Sequence, residues 1–238
     1  MNTILHIDTS GPDALIGISQ DLKIIASKQN SQSNTHGEFV QAGVDELFRD
    51  NAMQLKDIDA IGVTMGPGSY TGLRVGLASA KGLAFALNKP LIGLSTLTLL
   101  AKAAVGHLTA TENPLVNEKH LQVFSMIDAR RMEIFGAIYN SSLEYLAAEK
   151  AMILDEALLL ALLSNGPLIC IGSGVAKTKI LTQHADFQNS SPLFLDYSYT
   201  IHDMAALAMI KFKAADFEDL AYSGPAYLKD YYQKPLIK

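Results

Sequence analysis

The sequence predicts an α/β protein in which mixed β-sheets are flanked by helices. Short apolar runs at the start of the chain indicate an antiparallel meander, and from residue 35 onwards strand-like runs alternate with helical patterns. A third observation is that the second half repeats the order of the first: antiparallel strands, helix, strand, glycine turn, helix. Together these features predict two lobes of related topology.

The first lobe is defined by its periodicity. Apolar residues recur at helical spacing after Thr35, with Glu38 three positions on, as in a capping box, and Ser95 is a second candidate cap. We therefore expect strands at 3–10, 14–19, 22–27, 60–65 and 90–93, and helices at 36–48, 71–87 and 95–104.

The second lobe follows a polar region between residues 106 and 119. This change in composition suggests domains at 1–106 and 107–238, with the last helix and the tail packing back on the first lobe. Two apolar runs around Ala129-Arg130-Arg131 predict a hairpin. We expect strands at 121–128, 133–139 and 167–171, helices at 155–163, 175–184 and 201–215, and an aromatic, basic tail at 225–238.

The charge distribution limits the class of partner. A net charge of −5 argues against a protein that binds nucleic acid alone by neutralising phosphates. From Ala60 to Thr111, however, there is no Asp or Glu, while one arginine and three lysines are present. That segment is electropositive relative to the rest of the chain, although solvated helix faces explain lysines equally well.

The single cysteine and the apolar segments indicate in which cellular compartment the protein is expected. Cys170 lies in an apolar run, which indicates a buried, inert thiol in a reducing environment. The N-terminus lacks the pattern of a signal peptide, and the uncharged stretch 157–176 is interrupted at 164–167, which argues against a membrane span. We expect a cytoplasmic protein.

The stretch Met65-Gly66-Pro67-Gly68-Ser69-Tyr70-Thr71-Gly72-Leu73-Arg74 forms the turn between a predicted strand and helix. Glycines at such a turn permit close backbone approach, and a helix N-terminus can bind an anion. Candidate anion or nucleotide contacts are Asp8, Thr9, Ser10, Gly66, Gly68, Ser69 and Thr71. A tight connection between two buried elements explains the glycines equally well, and both interpretations stay open.

Searches for familiar catalytic patterns give negative results. The glycine turn lacks the Gly-Lys-Ser/Thr of a P-loop, and its glycines are spaced one residue too wide for a dinucleotide fingerprint. The six histidines include no pair three or four residues apart, so no helix offers two metal ligands on one face. Asp8 could hold a magnesium ion or a water near a phosphate, or could simply cap its own turn.

The helix after the glycine turn has a face of small residues. Gly72, Gly76 and Ala80 recur every four residues, although each interior helical glycine costs roughly 1 kcal/mol relative to alanine. Close approach of a second helix, from the same domain or from another chain, would offset that cost. Packing within the domain is the competing interpretation.

The nine residues 66–74, with Ile7-Asp8-Thr9-Ser10 upstream, resemble the bacterial TsaB (YeaZ) family. Further matches occur at 82–84, 90–97, 128–135, 172–174 and 225–228, so the resemblance covers nearly the whole length. It implies two actin-like (ASKHA) lobes and a non-catalytic subunit of the tRNA threonylcarbamoyladenosine synthase. The residues at 32–38 follow the family pattern only loosely.

The resemblance also implies partners. The sister subunit TsaD carries a metal on two histidines, and the corresponding positions here are Thr96 and Leu100, neither of which is a good ligand. TsaD is the expected heterodimer partner, with the ATPase TsaE joining the pair and a homodimer forming without TsaD. Contact with tRNA is expected only through the complex. No metal or cofactor is assigned to this chain, and ATP is used through TsaE.

In the family, the pairing surface is built from the first two helices. The residues that we expect at this interface are Phe39, Val40, Gly43, Leu47, Gly72, Gly76 and Ala80. An alternative function is an independent ATP-binding phosphotransferase of actin-like fold, with Asp8 and the glycine turns at 66–68 and 172–174 around the nucleotide. A metal-dependent glycopeptidase would need ligands that the sequence lacks.

Overall fold

The computed structural model describes residues 1–32, 35–183, 187 and 191–229, and it arranges them around two five-stranded sheets. The first sheet has the order β3-β2-β1-β4-β5. Its strands are β1 (Thr3–Asp8), β2 (Ala14–Gln20), β3 (Lys23–Asn30), β4 (Ala60–Gly66) and β5 (Leu91–Ser95). The first three are antiparallel, whereas β1, β4 and β5 run parallel.

The second sheet repeats this topology in the order β10-β9-β6-β7-β8. Its strands are β6 (Gln122–Asp128), β7 (Glu133–Tyr139), β8 (Tyr145–Ile153), β9 (Leu168–Ile171) and β10 (Leu193–Leu195). Again three antiparallel strands are followed by two that run parallel to the first of them. The predicted two-lobe α/β fold with mixed sheets is thereby confirmed.

The helices cover the faces of these sheets. They are α1 (His36–Asp50), α2 (Tyr70–Leu87), α3 (Thr96–Ala110), α4 (Glu156–Asn165), α5 (Val175–Leu181) and α6 (Ile201–Lys213). One core joins α1 and α2 to the first sheet, and a second core joins α6 to the same sheet. Helix α3 also contributes leucines and alanines to the core of the second sheet, so it connects the two lobes.

Helix ends follow local chemistry in most cases. Ser69 accepts a hydrogen bond from the backbone N–H of Gly72, and Ser95 accepts one from Thr98, so Ser95 is a cap as predicted. The prediction for Thr35 is wrong: its side chain makes no capping hydrogen bond, and its hydroxyl instead accepts from Asn30 Nδ2 and donates to the carbonyl of Gln32. At its other end, α2 is closed by Asn88 in the left-handed conformation.

Some expectations about the second lobe differ from the structure or remain untested. Strands β8 and β10 were not predicted. Residue 106 lies inside α3, and the division at this residue stays a prediction. The expected helix end at His184 and the tail beyond residue 229 lie outside the described residues. Cys170 is fully buried, as predicted, and burial raises the pKa of its thiol.

No helix in the described ranges combines the length and the apolar character needed to cross a membrane.

Candidate functional site

A cleft with a volume of about 1100 Å³ lies between the two lobes. Helix α3 contributes Thr96 and Leu100 to it. The first lobe contributes Ser10, Gly11, Pro12, His36, Gly37, Gly68, Ser69, Thr71, Gly72 and Val75. The remaining lining residues are Ile127, Asp128, Phe135, Gly172, Ser173 and the segment 195–199. Gly68 of the first glycine turn and Gly172 and Ser173 of the second thus line the same cleft.

Asp8 ends β1 beside this cleft, and both of its carboxylate oxygens are occupied. One oxygen accepts hydrogen bonds from the backbone N–H of Ser10 at 2.8 Å and from Thr64 Oγ1 at 2.7 Å. The other accepts from the hydroxyl of Tyr199 at 2.7 Å. Asp8 is only 5% exposed, so these neutral donors replace water around its charge. Burial, reinforced by the Asp8 charge, raises the pKa of Tyr199 well above its usual value.

The glycine turn packs directly on the end of β1. The backbone N–H of Ser69 donates to the carbonyl oxygen of Ser10 at 2.7 Å. A side chain at Gly68 would place its Cβ 2.4 Å from that same oxygen, so only glycine fits. Gly66 has a φ of 110° and precedes a cis peptide bond to Pro67. The close approach that these glycines permit is therefore an approach to the protein's own backbone.

Only some of the residues that were predicted to contact an anion line the cleft. Ser10, Gly68, Ser69 and Thr71 line the cleft, whereas Asp8, Thr9 and Gly66 do not. The Thr9 hydroxyl donates to the Gly72 carbonyl, and the Ser10 hydroxyl lies 2.9 Å from that of Tyr199. These two hydroxyl groups already have protein partners. That these residues bind an anion stays a prediction.

The acidic side chains that line the cleft each form an ion pair with a lysine outside the lining, Asp128 with Lys177 and Asp196 with Lys179. Among the described lining residues there is no lysine or arginine. Lys177 lies behind Asp128 and donates to it at 2.7 Å, which holds the pKa of that carboxyl below its usual range. Ser173 Oγ accepts from the backbone N–H of Asp128 at 2.9 Å. Sequence reasoning marked the 172–174 turn but missed Tyr199 and Lys177, because long-range contacts bring both to the site.

The first turns of α3 reach the cleft without a metal-ligand set. Leu100 is 3% exposed and presents only carbon atoms, whereas Thr96 is 4% exposed and its hydroxyl has no hydrogen-bond partner among the described residues. Within the described ranges, no group of three His, Cys, Asp or Glu side chains could hold a metal ion. At these two positions the helix therefore presents one hydroxyl group and one aliphatic side chain, both almost fully buried.

The residues expected at a partner interface lie mostly inside the first lobe. Phe39 is half-buried, and the other positions are buried: Val40, Gly43, Leu47, Gly72, Gly76 and Ala80. A Cβ at Gly43 would lie 2.5 Å from Ile16, and one at Gly76 would lie 2.2 Å from Thr9 Oγ1. The small face of α2 is therefore a packing surface against β1 and not an open contact face. That α1 and α2 bind a partner stays a prediction, and it requires other residues of these helices.

A different face of α2 is open. Ala78, Gly82 and Ala86 recur every four residues and are exposed, and Phe85 beside them is 82% exposed. Apart from the adjacent backbone of α2 itself, no atom of the described residues lies within 4 Å of the position that a Cβ on Gly82 would take. A groove of about 530 Å³ runs between this face and α1. Its lining residues are Val40, Gln41, Val44, Asp45, Leu55, Ala78, Ser79, Gly82 and Leu83.

The family relationship agrees with this architecture. Residues 23–236 match the family model described as TsaD, tRNA N6-adenosine threonylcarbamoyltransferase. The tRNA threonylcarbamoyladenosine biosynthesis protein TsaB of Bacillus subtilis is 29% identical over 71% of this chain and 70% of its own length. The chain belongs to this transferase family, in its TsaB (YeaZ) branch.

Two further proteins are similar to this chain. An uncharacterised protein of Mycobacterium tuberculosis is 30% identical over 58% of this chain, and the match spans 60% of that relative's length. The structure of YeaZ from Pseudomonas aeruginosa superposes with a TM-score of 0.74 over 96% of this chain and all of the other, at 23% identity. This second similarity concerns the fold alone. It agrees with a TsaB-type arrangement of two lobes.

Proposed function

We propose that this chain is the non-catalytic partner subunit of a complex that transfers a threonylcarbamoyl group to an adenosine of tRNA. The observation that carries this proposal is the identity of two residues at the start of α3. There Thr96 and Leu100 occupy the positions at which the resemblance expects metal-binding histidines in TsaD. Both side chains face the inter-lobe cleft, where a hydroxyl and an aliphatic group cannot replace two imidazoles.

The names of the relatives support the pathway. Curated relatives are named for threonylcarbamoyladenosine biosynthesis, and the matching family model is that of the transferase itself. A two-lobed chain related to the transferase but without its ligand set fits a subunit that supports its catalytic relative. The partner in this proposal is a TsaD-type subunit.

The surface proposed for pairing is the exposed face of α2 with the neighbouring groove of α1. Small residues at Ala78 and Gly82 let a partner helix approach closely, and Phe85 adds exposed apolar area beside them. This placement replaces the buried residues expected from the sequence, while it keeps the two helices. Homodimers formed without TsaD would use the same surface.

Further parts of the proposal follow from the family resemblance. TsaE joins the heterodimer and supplies ATP hydrolysis, this subunit holds no metal, and tRNA is reached through the complex. The cytoplasm, where tRNA is modified, is the expected location. Each of these statements is a proposal about the assembly in which the chain works.

Reconstitution tests the proposal directly. Purified chain and TsaD should co-elute as one species in size-exclusion chromatography. Transfer from threonylcarbamoyl-adenylate to tRNA should require TsaD and should be stimulated by this chain. Failure to co-elute, or robust transfer by the chain without TsaD, would contradict the proposal.

One observation favours a second candidate function. Residues of both glycine turns, Gly68 from the first and Gly172 and Ser173 from the second, line one cleft of about 1100 Å³, as an actin-like ATP-binding phosphotransferase would require. The described residues that line the cleft include the carboxylates of Asp128 and Asp196 and no lysine or arginine that could bind a phosphate, which weighs against this function unless a divalent cation accompanies the nucleotide. Calorimetry with ATP and magnesium distinguishes the two, because only the phosphotransferase should show tight binding together with turnover.

A further inference from the structure

An exposed cluster of two tyrosines and one arginine lies at the start of α2. The guanidinium carbon of Arg74 stands 4.0 Å from the centre of the Tyr70 ring, a cation–π contact. Arg74 Nε donates a hydrogen bond of 2.8 Å to the hydroxyl of Tyr227, and the centres of the two tyrosine rings lie 5.3 Å apart. We name Tyr70, Arg74 and Tyr227 the aromatic cluster.

The aromatic cluster is open to solvent and its cation is not neutralised. Tyr70 is 47% exposed and Tyr227 is 49% exposed, and Arg74 is exposed between them. Among the described residues no carboxylate lies within ion-pair distance of Arg74, in keeping with the acid-free segment 60–111. Within the described part of the chain the guanidinium contacts only the two tyrosines, and because it carries five N–H donors, some of them remain for a ligand.

Positive charge continues from the cluster onto the second lobe. Lys229, two residues after Tyr227, forms an ion pair with Glu133 at the start of β7. Arg131 and Lys177 also act on Glu133, and the three cations together lower the pKa of its carboxyl. Arg130 and Arg131 are exposed at the β6–β7 turn, both with positive φ. Cations outnumber carboxylates along this path.

Three contacts fix the segment that carries Tyr227. The backbone N–H of Ala226 donates to the carbonyl of Met65 at 2.8 Å, and Lys81 donates to the carbonyl of Ser223 at 2.9 Å. Leu228 packs into the core of the second sheet. Because the tail is fixed on both sides of Tyr227, the two rings are positioned before any ligand arrives, which lowers the entropic cost of binding.

We propose that the aromatic cluster binds an unpaired segment of RNA, with a base stacked on the tyrosines and phosphates contacted by Arg74 and Arg131. This inference rests on the proposed function, in which the substrate is a tRNA. Exposed aromatic rings bind bases through stacking, and an arginine offers a fork to phosphate oxygens. A nucleotide matches both the rings and the cation, whereas an acidic peptide matches only the charge.

The aromatic cluster supplies only part of the affinity for RNA. The net charge of −5 keeps overall affinity for RNA weak, so the cluster orients an RNA that is held mainly elsewhere. For the isolated chain we expect dissociation constants on the order of 10⁻⁴ to 10⁻⁶ M, the range of weak electrostatic contacts. Such binding is measurable at low salt.

The experiment measures the affinity of the isolated full chain for a fluorescently labelled RNA hairpin with an unpaired loop. Tyr70→Ala and Tyr227→Ala should each weaken binding about five- to a hundredfold. Arg74→Gln should weaken binding and reduce the slope of log affinity against log salt by about one. Tyr227→Phe keeps the ring and should retain most of the affinity. Matched controls are Tyr222→Ala, an exposed tyrosine with no ring contact among the described residues, and Lys23→Ala on β3, and both should have little effect.

The outcomes separate this inference from the proposed function. Unchanged affinity in the cluster variants, or no binding by the wild-type chain at low salt, overturns the inference even if the chain co-elutes with TsaD. Variants that weaken co-elution with TsaD but not RNA binding also overturn it, since the cluster would then contact protein. Failure of wild-type co-elution contradicts the proposed function and leaves the RNA measurement standing. Urea unfolding of each variant confirms that its fold is intact.

Discussion

Thr9 and Gly72 are joined twice, once by a hydrogen bond and once by close packing. The Thr9 hydroxyl donates to the Gly72 carbonyl at 2.7 Å, while a Cβ on Gly72 would lie only 2.0 Å from the Thr9 carbonyl oxygen. Gly76, one turn later, passes the same threonine. The helical glycines cost roughly 1 kcal/mol each in propensity, and this contact between α2 and Thr9, directly after β1, offsets the cost.

Gly72→Ala should destabilise the isolated chain. The added Cβ meets the backbone oxygen of Thr9, directly after β1, which cannot move aside as a flexible side chain could, so the helix must shift away from the sheet. We expect the free energy of unfolding in urea to fall by about 1 to 3 kcal/mol.

Gly82→Ala is the matched control on the same helix. Gly82 faces open space, so alanine adds helix propensity without a clash and should raise the free energy of unfolding by about 1 kcal/mol. Equal effects of the two substitutions would mean that the Thr9 contact does not set the packing of α2.

The small-residue pattern shows what sequence alone could and could not decide. The spacing of Gly72, Gly76 and Ala80 suggested close approach of a second helix, whereas the glycines lie against Ile7 and Thr9 at the end of β1. It could not distinguish a strand of the same lobe from a second chain, because only the fold shows which face of α2 covers β1. The open face with Ala78 and Gly82 has the same spacing and gives a similar signal.

The order of elements was largely predictable, since apolar periodicity and turn residues mark most of them. Strand β8 was missed because its sequence contains Leu, Ala, Glu, Lys and Met, which favour helices, and pairing with β7 overrides that local preference. The candidate site was harder to predict, because it is formed by residues that are far apart in the sequence. Tyr199 reaches Asp8 across 191 positions of sequence, a separation that no local pattern reports.

Tyr199→Phe should lower the stability of the fold. The substitution removes one of the donors to the buried Asp8 carboxylate while it keeps the ring and its packing. Loss of a hydrogen bond to a charged group costs about 1.5 to 3 kcal/mol. Tyr222→Phe, at a 90% exposed position, should change stability by less than about 0.5 kcal/mol. Urea unfolding measures both, and similar values for the two variants would refute a supporting role for Tyr199.

His6 should make stability depend on pH. It is fully buried, its Nε2 lies 2.8 Å from Ser19 Oγ, and burial lowers its pKa to about 3. In the unfolded chain the pKa is about 6.5, so below that pH the unfolded state binds a proton that the folded state does not. Stability is therefore fully retained above pH 6.5 and declines as the pH falls towards 3.

The expected slope is about 1.4 kcal/mol per pH unit, which gives a loss of about 2 kcal/mol between pH 7.5 and pH 5. Urea unfolding at these two pH values measures the loss. His6→Gln should remove this part of the pH dependence, whereas His107→Gln at an exposed position should not. An unchanged difference between the two pH values in His6→Gln would show that other groups cause the dependence.

Ala78→Arg tests the proposed pairing face without disturbing the lobe. Ala78 is exposed beside the groove between α1 and α2, so an arginine there extends into solvent and should change the free energy of unfolding by no more than about 0.5 kcal/mol. In the complex it would occupy the space of a closely packed helix, and co-elution with TsaD should be lost. Ala148→Arg, exposed on β8 of the second lobe, provides the control and should leave the complex intact. If Ala78→Arg still co-elutes while Ala148→Arg does not, the partner binds the second lobe and the face of α2 is not the interface.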